Sequence, residues 1–285
     1  MVDSPAARPV VGVAGCGTMG LPMAQSLERA GYEVLGLDVR PSAEFGSFAP
    51  SMCPDPREFA ARAEVVISVV RDAKQTLDLC FDQQALFAGE HGIATLVVSS
   101  TLSPRFLPEL RARLPDNTSL VDAPMSGAPH AARAGALSFM VGGAHEDLER
   151  LAPLFDVMGD HTFRLGPLGA GMTAKVLNNY VACITAMAVR RTYDRADALG
   201  MDLEQLRAVM HASSGQTWFG DNFHSIDWAR QGYAPENTIG ILEKDVRSGL
   251  DAVSDLGAVG PDAFDAAVLD AIRGIGPWRP GDTDD

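Results

Sequence analysis

No apolar run in the 285 residues approaches the roughly 20 needed to cross a bilayer, so a membrane span is not expected. Positive charge is in short supply too. The 23 Lys and Arg are set against 37 Asp and Glu, a formal net charge of −14, which makes a broad phosphate-binding surface and nucleic acid poor candidates. A small anionic ligand is still compatible, because charges beyond a Debye length of ~8 Å are screened and a few local donors govern a pocket. The four cysteines, Cys16, Cys53, Cys80 and Cys183, lack the close pairing of a redox motif or metal knuckle, and they read as buried or incidental thiols. The six histidines show no metal-ligand spacing, so chemistry without a metal is expected. The first residues show no basic start followed by an apolar run and a cleavage site, which predicts a cytoplasmic chain.

What is present is the composition of an ordinary globular protein, 46% hydrophobic and 21% charged, with length enough for two domains. Runs rich in β-branched residues recur at 10–13, 34–37, 65–70 and 96–98, with helically spaced segments between them. That alternation predicts an α/β fold with a parallel, doubly wound sheet. Further strands are expected at 119–121, 137–141 and 162–165, with a helix over 146–155. From Met172 to Leu199 the chain has neither proline nor glycine, which predicts one long helix stopped by Gly200 in a left-handed cap. Everything beyond reads as helix and loop. These patterns place a sheet domain at 1–166 and an all-helical domain at 167–285, and the tail GPWRPGDTDD reads as poorly ordered.

The stretch VVGVAGCGTMG sets Gly15, Gly17 and Gly20 in a G-x-G-x-x-G array between a strand and a helix, with Thr18 and Met19 inside the turn. In that context the first glycine permits a tight turn, the second lets backbone approach a pyrophosphate, and the third lets helix and strand pack closely. Asp38 ends the second strand, where a ribose-reading acid belongs. The expected cofactor is therefore NAD, with NADP open because Arg40 stands close enough to meet a 2′-phosphate.

Four ordered segments, AGCGTMGLPMAQSLERAGYEVLGLDVR, DAPMSGAPHAARAGALSFMVGG, GAGMTAKVLNN and EKDVRSGLD, together resemble the β-hydroxyacid dehydrogenase family. The resemblance implies a Rossmann-like domain, a helical domain for substrate and oligomerisation, and a cleft between them. It implies assembly as dimers or tetramers. The activity it implies is hydride transfer between a nicotinamide cofactor and a small β-hydroxy acid or its semialdehyde.

Lys175 and Asn179 lie four residues apart on the predicted long helix and so project from one face. Oxidising an alcohol needs a proton acceptor at the hydroxyl, and the reverse needs a donor; a lysine with its pKa brought toward about 7–8 serves both. By spacing alone a solvated surface lysine is the ordinary reading. The resemblance assigns Lys175 as the catalytic acid/base and Asn179 to substrate binding, with Asn178 a weaker candidate. It also assigns Ser126 and Gly127, read here as a loop after a strand, to the substrate carboxylate. Where the family has a second glycine this chain has Ala128, which would be strained if the position needs positive φ and would narrow the pocket. Thr101, Val70 and Lys244 match cofactor-contacting positions. A helix N-cap region stays open for Thr101, and an ion pair with Asp245 stays open for Lys244. Two other readings remain: an imine reductase, a class that shares the architecture and generally lacks this lysine, and a cofactor-binding regulatory protein without turnover.

Overall fold

The computed structural model describes residues 8–278, and the chain divides between Lys175 and Val176 into two compact units. In the first, strands β1 (Val11–Ala14), β2 (Val34–Leu37), β3 (Val65–Ser68), β4 (Thr95–Val98) and β5 (Ser119–Asp122) run parallel in the order β2-β1-β3-β4-β5. Their residues are buried on both faces, apart from the half-buried Ser119, as a sheet between two helical layers requires. Alternation sorts them into two cores. Val11, Val13, Ile67 and Val97 pack with Met23 and Leu27 of α1 (Gly20–Arg29). On the opposite face Val66, Leu96, Val98 and Leu120 meet the helices that follow β2 and β4. Those are α2 (Pro56–Arg62), which contributes Phe59, and, beyond the short α3 (Ala73–Leu77), α4 (Phe106–Arg113), which contributes Leu107 and Leu110.

The sheet departs from the all-parallel expectation after β5. The chain continues into β6 (Met125–Ser126) and returns as β7 (Leu137–Gly142), antiparallel to both, with Asp122 opposite Gly142 and Ser126 opposite Ser138. A parallel return needs a crossover of a dozen or more residues, and the six-residue α5 (Pro129–Ala134) between β6 and β7 is too short to carry one. The longer α6 (His145–Met158) does carry the chain over, and β8 (Gly159–Gly166) pairs parallel with β7. Leu148, Leu151, Phe155 and Met158 of α6, spaced three or four apart, join the same core as α1.

The long helix α7 (Ala170–Ala198) contains the division between the units, nine residues past the boundary expected at Gly166. Gly200 follows at φ 67°, the left-handed stop read from the sequence. The second unit continues with α8 (Leu203–His211), α9 (Trp218–Asp221), α10 (Thr238–Ala252) and α11 (Ala263–Arg273). The four helices start on Asp202, Thr217, Asn237 and Asp262, whose side chains accept first-turn N–H groups. Tyr193, Phe219, Phe223, Ile239 and Ile272 form their shared core.

The expected disorder of the tail does not begin at Gly276. Trp278 is buried with its ring edge-on to Phe223 at 5.1 Å, and its backbone N–H reaches the Arg230 carbonyl at 2.9 Å. The buried guanidinium of Arg190 donates to the carbonyls of Ala229, Gln231 and Gly276 and pins the same segment. The remainder of the tail, 279–285, lies outside the described residues. Among the described residues no helix is long and apolar enough to cross a membrane.

Candidate active site

The three glycines after β1 are needed for three different reasons. Gly15 has φ 91°, and a Cβ there would lie 2.8 Å from the Val69 carbonyl oxygen. At Gly20 a Cβ would stand 2.0 Å from the Gly15 carbonyl oxygen, so only glycine lets α1 start this close to β1. A Cβ added at Gly17 would meet nothing within 4 Å, and Met19, the N-cap of α1, offers no side-chain hydrogen bond to the first-turn N–H groups. An open backbone beside an uncapped helix start fits the pyrophosphate of a dinucleotide. Thr18 lies in this turn. The Val70 carbonyl accepts the Ser100 hydroxyl at 2.6 Å, which ties the turn after β3 to the turn carrying Thr101 after β4. These turns sit at the carboxyl ends of the parallel strands, where open α/β sheets hold ligands.

Asp38 and Arg40, read from the sequence as rivals for the ribose, are a pair. Arg40 Nε lies 3.1 Å from Asp38 Oδ1 and its Nη2 3.3 Å from Oδ2, while Nη2 also donates to the Cys16 carbonyl at 2.8 Å. The guanidinium carbon stands 4.6 Å from the centre of the Phe45 ring. Burial opposes ionisation of Asp38, but hydrogen bonds and charge from Arg40 outweigh it and hold the carboxyl below its ordinary value. All four cysteines are buried free thiols, and burial pushes Cys16 up to about 12.

Ser126 stands in the short strand β6 rather than in a loop. The residue that needs glycine is Gly127, at φ 135°, where a Cβ would fall 2.8 Å from Leu137 Cδ2. Ala128 follows at φ −81° and ψ 170°, ordinary extended backbone at the start of α5, so the strain considered for it does not arise.

Lys175 lies in the second turn of α7 and is only 7% exposed. The helix start beneath it is fixed by a residue to which the sequence reading gave no role. Asp122, fully buried at the end of β5, accepts the Gly169 N–H at 2.7 Å on Oδ1 and the Met172 N–H at 2.6 Å on Oδ2. Burial pushes its carboxyl above the ordinary value, and the backbone N–H groups of Gly169, Met172 and Gly171 pull it back only in part. An acid directly after the apolar pair Leu120 and Val121 was the signal available in the sequence, since a buried carboxylate requires partners.

In the second unit, Asn179 Nδ2 donates to Asp245 Oδ2 at 2.6 Å, and Lys244 Nζ stands 2.7 Å from Asp245 Oδ1. A carboxylate only accepts, so the amide nitrogen of Asn179 must face it; the amide oxygen accepts Asn178 Nδ2 at 3.1 Å. The ion pair weighed for Lys244 is thus present. Asp245 thus contacts both candidate side chains, Lys244 and Asn179, and only its bond to Asn179 was not expected from the sequence. Trp218 is exposed at the start of α9, while the adjacent Phe219 is buried.

A family model for the NAD-binding domain of 6-phosphogluconate dehydrogenase matches residues 10–166. A second, for the NAD-binding region of NADP-dependent 3-hydroxyisobutyrate dehydrogenase, matches residues 169–268. The NAD-dependent L-serine dehydrogenase of Pseudomonas aeruginosa is 35% identical over 207 residues, covering 72% of this chain and 70% of the relative. This chain belongs to the β-hydroxyacid dehydrogenase family. Within that family, the 3-hydroxyisobutyrate dehydrogenase structure from Salmonella typhimurium superposes with a TM-score of 0.78 at 27% identity, covering 94% of this chain and 96% of that one. The Mycobacterium tuberculosis 3-hydroxyisobutyrate dehydrogenase, solved with L-serine, gives 0.75 at 27% identity, with 93% and 92% covered. The chain is accordingly an NAD(P)-dependent oxidoreductase with a Rossmann-like domain followed by a helical one.

Proposed function

We propose that this β-hydroxyacid dehydrogenase moves a hydride between NAD and the hydroxyl-bearing carbon of a small β-hydroxy acid or its semialdehyde, with Lys175 as acid/base. The observation that carries the reading is a buried lysine in the second turn of a helix whose start is held by a buried carboxylate. The nicotinamide, when bound, supplies the hydride acceptor or donor. In oxidation Lys175 takes the hydroxyl proton, and in reduction it returns a proton to the carbonyl oxygen. Asn179, one turn further along, orients that oxygen or a carboxylate oxygen. The Ser126 hydroxyl and the Gly127 N–H hold the substrate carboxylate. Gly15, Gly17, Thr18, Met19, Gly20, Val70, Thr101 and Lys244 hold the cofactor.

NAD is the proposed partner because the ionised Asp38 would repel a 2′-phosphate, and Arg40 is already engaged by Asp38, the Cys16 carbonyl and Phe45. The Pseudomonas aeruginosa relative is named for the same cofactor, and both it and the Mycobacterium tuberculosis structure point to L-serine as a candidate β-hydroxy acid. Lys175 weighs against the imine reductases, which generally lack it. The family resemblance supports a homodimer or homotetramer as the working assembly.

The test is a rate screen with NAD and NADP across 3-hydroxyisobutyrate, 3-hydroxypropionate, L-serine and glycerate, with 2-propanol as the alcohol lacking an anion. An acid should exceed 2-propanol in kcat/KM by about tenfold or more, because each unpaired buried donor costs about 1–3 kcal/mol. Equal rates for 2-propanol and the best acid would overturn the carboxylate-anchoring reading.

A further inference from the structure

Asp122 stands where the end of β7 meets the head of α7, and glycines on both sides leave the space that its carboxylate fills. A Cβ at Gly142 would lie 2.6 Å from Asp122 Oδ1, and one at Gly171 would lie 2.9 Å from Oδ2 and 2.2 Å from the Met140 carbonyl oxygen. The head of α7 therefore rests directly on the backbone of β7, and an added methyl at either glycine would collide with the Asp122 oxygens. Those oxygens take two of the first-turn N–H groups that a helix leaves without intrahelical partners. Gly171 and Lys175 are four residues apart and share a helix face, and Met172, whose N–H Asp122 holds, lies three residues before Lys175.

We propose that Asp122 is the positioning residue for Lys175: by pinning the Gly169 and Met172 N–H groups it sets the height and rotation of the α7 turn that carries the lysine. The inference rests on the acid/base reading of Lys175 and deepens it. Misplacing a reacting group by 1 Å costs on the order of 10²-fold in rate. Asp122→Asn keeps the size of the side chain but turns one acceptor into an NH2 donor facing a backbone N–H, so the head of α7 must shift.

The experiment is a double-mutant cycle on kcat, using wild type, Asp122→Asn, Lys175→Ala and the double variant. Turnover is measured at saturating NAD with whichever of L-serine, 3-hydroxyisobutyrate and 3-hydroxypropionate wild type oxidises fastest, and the Kd for NAD is titrated in parallel. Asp122→Asn should lower kcat by about tenfold or more, with the Kd for NAD within about twofold of wild type, and should cost less than about twofold in the Lys175→Ala background. A role confined to stability would not produce that dependence on background. The same loss in both backgrounds, or no loss in wild type, overturns the role of Asp122 and leaves the reading of Lys175 standing. Near-normal turnover by Lys175→Ala overturns that reading and this inference with it. Should Asp122→Asn fail to fold, Gly169→Ala perturbs one of the same N–H groups through its φ of 94°, with no atom closer than 3.8 Å to the added methyl. It should show the same background-dependent loss, and an equal loss in both backgrounds would count against the inference.

Discussion

The glycine cradle after β1 is assembled from neighbours in the chain, whereas the head of α7 is pinned by an acid 47 residues earlier. The first is a backbone device: three glycines within six residues provide a turn, an open approach and a close contact. The second depends on one side chain reaching across the sheet, and its partners are backbone N–H groups that carry no mark in the sequence. The contrast teaches that a local device can be read from spacing alone, while a distant one has to be inferred from an acid with no other reason to be buried.

The largest expected effect separates glycines that pack from glycines that face a ligand. Gly20→Ala should lose about 3 kcal/mol or more in denaturant unfolding, because its methyl meets the Gly15 carbonyl with no room to yield. Gly17→Ala should stay within about 0.5 kcal/mol of wild type, yet weaken NAD by about tenfold or more in a fluorescence titration. Equal stability losses at the two positions would reduce the whole turn to packing.

The second unit uses the same distant-acid device, and pH gives a way to break it. Glu243 on α10 accepts hydrogen bonds from the Tyr233 hydroxyl at 2.6 Å, Arg247 at 2.8 Å and Arg273 of α11 at 2.9 Å. Burial opposes ionisation, but these donors outweigh it and hold the carboxyl down to about 2, from an ordinary value of 4.5. A depressed carboxyl stabilises the fold fully above the ordinary value and loses that stabilisation as pH falls through the folded one. Thermal unfolding followed from pH 5 to pH 2 should show wild type losing stability more steeply than Glu243→Gln. Parallel curves would mean that Glu243 contributes nothing specific between α10 and α11.

The same contrast explains how much was legible beforehand. Strand positions other than the two-residue β6, the long helix and its stop at Gly200 followed from periodicity and breaker residues, because each depends on local pattern. The reversal at β7 did not, since strand direction depends on whether α5 is long enough to cross the sheet, and so short a helix leaves a weak periodic signal. Lys175 and Asn179 were visible as a helical pair. The bond from Asn179 to Asp245 spans 66 residues and was not. One further compositional signal went unused. The chain has only three lysines, Lys74, Lys175 and Lys244, while arginine supplies the rest of its positive charge; two of the three stand at candidate site positions. Lysine can lose its proton where arginine does not, so a rare lysine in an arginine-rich chain is a candidate for acid/base work.

The proposed chemistry depends on Lys175, and its decisive test is kcat of Lys175→Ala at saturating NAD with the fastest β-hydroxy acid from the screen. The variant should fold and bind NAD as wild type does and lose about 10²–10⁴ of kcat, the contribution of a positioned acid/base. A kcat within about twofold of wild type, with any loss confined to KM, would contradict it and leave Lys175 a binding residue only.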